Sequence, residues 1–196
     1  MNIAIIDYGA GNVQSVLFAL ERLGFTGKVT SDANEINTAD KVIFPGVGEA
    51  SSAMKMLHEK GLDKVILQLK QPVLGICLGM QLLCKSSEEG NAKGLGIFDI
   101  AIKKFSNQMK VPQMGWNTIY NLKSSLFDGI SEKEYMYLVH SFYAPANEYS
   151  IATTNYGIEY ASAIQKDNFY GVQFHPEKSG KAGELILKNF LNLESK

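Results

Sequence analysis

Three short apolar runs each end in a glycine turn or open onto a helical pattern, and this arrangement constrains the fold more than any other feature. They are Asn2 to Asp7 in "NIAIID", "KVIF" at 41–44 before "PGVG", and "PVLGI" at 72–76 before "CLGM". Between them lie helix-like stretches. Val13, Val16, Leu17, Leu20 and Leu23 recur at helical spacing, and residues 51–69 read as one or two helices with a break near Gly61. Strands alternating with helices argue for a mostly parallel sheet covered by helices, an open α/β architecture. The second half is β-rich: "IFDIAIKKF", "WNTIYNL", "YMYLVHSFYA", "SIATTNY", "ASAIQKD" and "YGVQFH" all look extended, with "DNFYG" as a hairpin connection. A closing amphipathic helix carries Ala182, Leu185, Ile186, Phe190 and Leu193. No repeat or linker interrupts the 196 residues, so one domain spanning 1–196 is expected.

Composition narrows the function classes. The formal net charge is -1 and there is no basic tract, which argues against nucleic-acid partners. The first apolar run is too short for a signal-peptide core or a membrane span, so no membrane association is expected. The two cysteines, Cys77 and Cys84, read as seven apart on one helical segment, without a CxxC or Cys/His cluster. Zinc, other metals and disulfides are therefore not expected, and a cytoplasmic setting fits.

Gly75-Ile76-Cys77-Leu78-Gly79 has the form G-x-nucleophile-x-G, a tight strand-to-helix turn that lifts a side chain to the sheet edge. The helix N-terminus there favours the thiolate, and the N–H of Leu78 lies where it can donate to an oxyanion. On the pentapeptide alone, a small buried residue at a strand end is equally admissible. Cys84, in "LLCKSS", has no such turn and reads as a packing cysteine.

A cysteine nucleophile needs a base. His58 reads as solvated near a helix end, and His140 as the end of a strand. His175 is followed by Pro176 and Glu177, and residues two apart on an extended segment share a face, so Glu177 can orient the imidazole. A lone His-Pro-Glu also suits a polar loop; with a cysteine elbow the triad is the better reading. A rival motif is "DYGAGNVQS", a G-x-G after the first strand with Asp32 at the distance of a ribose-binding acid. Gln14 at the third glycine position is expected to crowd the helix–strand packing, which argues against a dinucleotide. The loop should lie on the same sheet edge as the thiol.

"PGVG", "GICLGMQLL" and "FHPEKS", in that order, resemble the class I, triad-type glutamine amidotransferases, whose fold is flavodoxin-like. "IIDYGAGNVQSV", "VPQMGWN", "YLVHSFY" and the serine after "FHPEK" are similar to the glutaminase subunits of imidazole glycerol phosphate synthase, and together these stretches cover the chain from end to end. The resemblance implies Cys77 as nucleophile, His175 as base and acid, and Glu177 as its orienter. It implies an oxyanion hole from backbone N–H groups of Val47, Gly48 and Leu78, and glutamine contacts at Gly48, Gln81, His140, Ser141 and Phe142. Read without the family, Gln81 is an ordinary polar helix residue and Phe142 a core aromatic. Tyr8, Gly9, Asn12, Met114, Trp116 and Asn117 would face a separate (β/α)8-barrel cyclase subunit in a heterodimer.

The implied reaction is hydrolysis of L-glutamine to glutamate and ammonia without a cofactor, the ammonia passing to the cyclase, since only a short helix follows the triad. One departure is Glu49-Ala50, where an Ala-Phe pair is common in the family; it touches loop packing only. The rival readings are an amidotransferase serving another acceptor, such as a surface-glycan sugar, a thiol peptidase or γ-glutamyl hydrolase, and a non-catalytic regulatory subunit.

Overall fold

The computed structural model describes residues 1–194. Its elements run β1 (Ile3–Ile6), α1 (Val13–Arg22), β2 (Gly27–Thr30), α2 (Ala33–Thr38), β3 (Lys41–Gly46), α3 (Ala50–Glu59) and α4 (Leu62–Gln68). Then come β4 (Val73–Cys77), α5 (Leu78–Leu83), β5 (Cys84–Ser87), β6 (Ala92–Lys93), β7 (Phe98–Lys104) and β8 (Gln113–Thr118). The chain continues through β9 (Tyr135–His140), β10 (Phe142–Pro145), β11 (Ser150–Asn155), β12 (Glu159–Lys166), β13 (Phe169–Val172) and α6 (Gly180–Asn192).

One large mixed sheet has the order β2-β1-β3-β4-β13-β12-β10-β7-β5-β6, with β11 paired to β12, while β8 and β9 form a separate antiparallel ribbon. From β2 to β13 neighbouring strands are parallel; β12 pairs antiparallel with β13 across a hairpin whose turn is only Asp167-Asn168, shorter than the expected "DNFYG" connection, because Phe169 to Gly171 already belong to β13. Alternation sorts the strand residues into two cores. Ala4, Ile6, Val42, Phe44 and Val73 pack under α2 to α5, while Ile3, Ile5, Ile43, Leu74 and Ile76 pack under α1 and α6. Gly61, at φ 68°, separates α3 from α4 where the break was expected. Among the described residues, no helix is long and apolar enough to cross a membrane.

The register between strands places the site. Gly46 of β3 lies beside Cys77 of β4, so both glycine-rich turns emerge side by side. Val172 of β13 lies beside Ile76, which brings Gln173 alongside Cys77. Gly79 packs α5 directly on β3: a Cβ there would overlap the carbonyl oxygen of Phe44.

Several expectations are corrected. Cys84 is not on a helix, because α5 ends at Leu83 and Cys84 opens β5. The extended segment expected at 116–122 is displaced, since β8 covers Gln113–Thr118 and Tyr120 makes only a single bridge to Thr153. "YMYLVHSFYA" is two strands broken at Ser141, and the last strand stops at Val172, well short of His175. Gln14 is exposed on α1, so it crowds nothing; the N-terminal loop instead packs through Gly11 against Pro45. Asp32 caps α2, accepting from the N–H groups of Asn34 and Glu35.

Candidate active site

Cys77 stands at the end of β4 with φ 53° and ψ -110°, a conformation that costs a non-glycine residue about 1–3 kcal/mol. The turn is held from both sides, by strand pairing before it and α5 after it, and the side chain is directed to the C-terminal edge of the parallel strands. There it faces a cavity of about 370 Å³. Val47, Gly48, Leu78, Gln81, His140, Ser141 and Phe142, all singled out from the sequence, line this cavity together with Cys77 and His175.

His175 follows β13 and is fixed by its backbone N–H, which donates to the Tyr137 carbonyl. Its Nδ1 lies 2.8 Å from Oε1 of Glu177, and both side chains are buried. Pro176 opens a single 3-10 turn that returns Glu177 under the ring, so the carboxylate reaches it by a turn and not by strand alternation. Burial works against the imidazolium. Hydrogen bonding to Cys77 and Glu177, with the negative charge of both, outweighs that and raises the His175 pKa well above its ordinary value. Because Nδ1 is committed to Glu177, Nε2 is the ring nitrogen left for the sulfur.

The other histidines do different work. His140 is pushed down to about 4, chiefly by burial, and is therefore neutral near pH 7. Its Nδ1 donates to the Phe142 carbonyl at 2.7 Å, and its Nε2 lies 3.2 Å from the Tyr160 hydroxyl. It braces the cavity wall. His58, exposed at the end of α3, pairs with Asp63 at 3.0 Å. Cys84 is wholly buried, burial pushes its thiol pKa up, and its Sγ lies 3.5 Å from the Met80 carbonyl oxygen.

The residues expected to face a partner divide. Met114 and Trp116 are exposed, at 66% and 55%, and share one face of the β8–β9 ribbon with exposed Tyr135. Gly9 is exposed; Asn12 and Asn117 are half-buried, the latter donating from Nδ2 to the Asn155 carbonyl. Tyr8 is a correction: its side chain is 0% exposed and packs edge-on against Phe44, so it cannot present its ring to a partner. It lies close enough for a Cys77 charge to help burial raise its pKa, and the N-terminal loop does share the thiol's sheet edge.

Several lining or bracing residues escaped the sequence reading, Pro112 and Val139 of the cavity wall among them. Glu89, in a 3-10 turn after β5, lines the cavity and accepts from the N–H of Ala50. Burial raises its pKa. Lys178 reaches the rim. Gln173, completely buried, lies between Gln81 and the sulfur. The unusual Glu49 is the N-cap of α3, accepting from the backbone N–H and hydroxyl of Ser52.

The model of the family "Glutamine amidotransferase class-I" matches residues 4–193. A protein from Bacteroides fragilis, "Imidazole glycerol phosphate synthase subunit HisH", is 56% identical over 196 residues, covering 98% of this chain and 100% of that one. The protein of the same name from Haemophilus influenzae (strain KW20) is 50% identical over 193 residues, covering 97% of each. Among solved structures, "Structure of PurLQS from Thermotoga maritima" superposes with a TM-score of 0.75 over 97% of both chains at 16% identity, which speaks for the fold alone.

Proposed function

Since the chain belongs to the class-I glutamine amidotransferase family, we infer that it is the glutaminase subunit of an imidazole glycerol phosphate synthase, serving histidine biosynthesis. The observation that carries the chemistry is the buried His175–Glu177 pair set against a cysteine at a strained elbow. Cys77 attacks the side-chain carboxamide carbon of L-glutamine, forming a C–S bond and a tetrahedral oxyanion. Backbone N–H groups of Val47, Gly48 and Leu78 receive that oxyanion, each worth about 3–4 kcal/mol at comparable sites. His175, holding the thiol proton on Nε2, gives it to the departing nitrogen as the C–N bond breaks, and ammonia leaves. Water then loses a proton to His175, attacks the thioester and releases glutamate, and the proton returns to sulfur.

Charge at the cavity suits a free amino acid. Glu89 supplies an anion for the α-ammonium and Lys178 a cation for the α-carboxylate, with Gln81, His140, Ser141 and Phe142 forming the wall. Ammonia passes directly to a (β/α)8-barrel cyclase subunit, because protonation in bulk water would remove its nucleophilic lone pair. Met114, Trp116, Gly9, Asn12 and Asn117 face that subunit. A cytoplasmic setting, where both free thiols stay reduced, belongs to the same reading.

A glutamine-like chloroketone tests the nucleophile. Peptide mapping should place the label on Cys77, with Cys84 protected by burial and its raised pKa. Equal labelling of both thiols defeats the assignment. Replacing Glu177→Gln should lower turnover by roughly two orders of magnitude or more, with glutamine KM near wild type. The amide would donate to Nδ1 and place the imidazole proton on Nε2, the nitrogen that must accept from sulfur. Unchanged turnover in a steady-state assay with the cyclase present would mean that another group orients His175.

A further inference from the structure

We propose that Gln173 is a fixed hydrogen-bond donor to the Cys77 sulfur, holding it ready for attack; the proposal rests on the reading of Cys77 as the nucleophile. The orientation of this amide follows from a carbonyl two steps away. The backbone oxygen of Phe142 can only accept, and the side-chain nitrogen of Gln81 lies 3.0 Å from it. The nearer end of Gln81 is therefore its NH2 group. That same nitrogen lies 2.8 Å from the Gln173 side chain, and two NH2 groups cannot face each other there. So Gln173 turns its oxygen to Gln81 and its own NH2 toward Sγ, at 3.7 Å. Reversing either amide would place donor against donor or oxygen against oxygen.

The backbone is fixed as well. The N–H of Gln173 donates to the Ser162 carbonyl at 2.9 Å, the side chain is 0% exposed, and β13 ends one residue earlier beside Ile76. Gln173 and His175 are two residues apart, and both reach the sulfur. The Val139 carbonyl oxygen also lies 3.7 Å from Sγ. That oxygen favours a thiol, which can donate to it, and disfavours a thiolate, which cannot. The Gln173 NH2 acts the opposite way, since it can donate to a sulfur that has given its proton to His175. The amide keeps both of its own protons throughout.

The test is the pH dependence of Cys77 alkylation by iodoacetamide, followed by peptide mapping, in wild type, Gln173→Met and Gln173→Glu. Methionine keeps length and removes the donor. Glutamate still accepts from Gln81 but turns an oxygen to the sulfur. The midpoint should move up by roughly half to one pH unit in Gln173→Met, and further in Gln173→Glu. Glutamine KM should change less than kcat, which a general loosening of the site would not produce. Midpoints equal to wild type in variants with wild-type thermal unfolding would overturn the proposal. In unmodified protein, the Gln173 side-chain NH2 signals in an NMR titration should shift with the alkylation midpoint; signals that stay fixed would overturn it too, whether or not either variant folds. Should wild-type Cys77 be no more reactive than Cys84, the nucleophile assignment fails instead, so the two failures are distinguishable.

Discussion

Cys77→Ala should abolish glutamine-dependent synthesis by the reconstituted pair of subunits, while synthesis from added ammonium salt at high pH stays close to wild type. On the proposed mechanism the thiol is needed only to break the glutamine C–N bond, and ammonia supplied from solution bypasses that step. Glutamine-dependent turnover should fall by at least three orders of magnitude, since base, oxyanion donors and binding without a nucleophile give little. The fold should persist because Cys77 buries a single sulfur at the cavity edge and its strand and helix neighbours are unchanged. A pull-down alongside the assay checks that the variant still binds its partner. Loss of the ammonia-dependent reaction in a variant that still binds would place Cys77 in the synthase chemistry itself. Absence of any partner-dependent reaction in wild type would return the glycan and peptidase readings.

The largest stability effect should come from Gly79→Ala. The added methyl would overlap the Phe44 carbonyl oxygen and crowd the carbonyl carbon that carries it, which belong to a central strand with partners on both sides. Neither atom is the end of a flexible side chain that could swing away. Relief requires moving α5 off the sheet, and the helix is buried along its whole length. Overpacking against backbone should cost about 3 kcal/mol or more, lowering the thermal midpoint by roughly 6–12 °C. Thermal unfolding by circular dichroism measures this. A midpoint within a degree of wild type would show that α5 is not held as close as described.

The central strands were legible because each is a run of residues buried on both faces, the pattern that most clearly separates strand from loop. β2 was not, since three of its four residues are partly or fully exposed and its "GKVT" carries no apolar run. β5 and β6 are short and largely polar, held by pairing to β7 and to each other, which periodicity cannot reveal. His175 and Glu177 were legible from spacing, although a 3-10 turn, not an extended strand, makes the contact. Gln173 was invisible for a different reason. Its role depends on Gln81, Phe142 and Cys77, which come from separate segments and meet only in three dimensions. Tyr8 was grouped with the loop up to Asn12 because the family resemblance implies that whole loop at the interface, but a single peptide step, from buried Tyr8 to exposed Gly9, takes the chain from core to surface.

With Cys77 as the proposed nucleophile, its positive φ sets stability and activity against each other at one residue. Glycine is the residue that position tolerates most easily, and glycine would be inert. On that proposal, a drift of the sequence toward a calmer backbone there would leave a folded protein without its nucleophile. Purifying selection on this chain therefore has to act through the product made and not through the quantity of folded protein, because the most comfortable version of the elbow is a silent one.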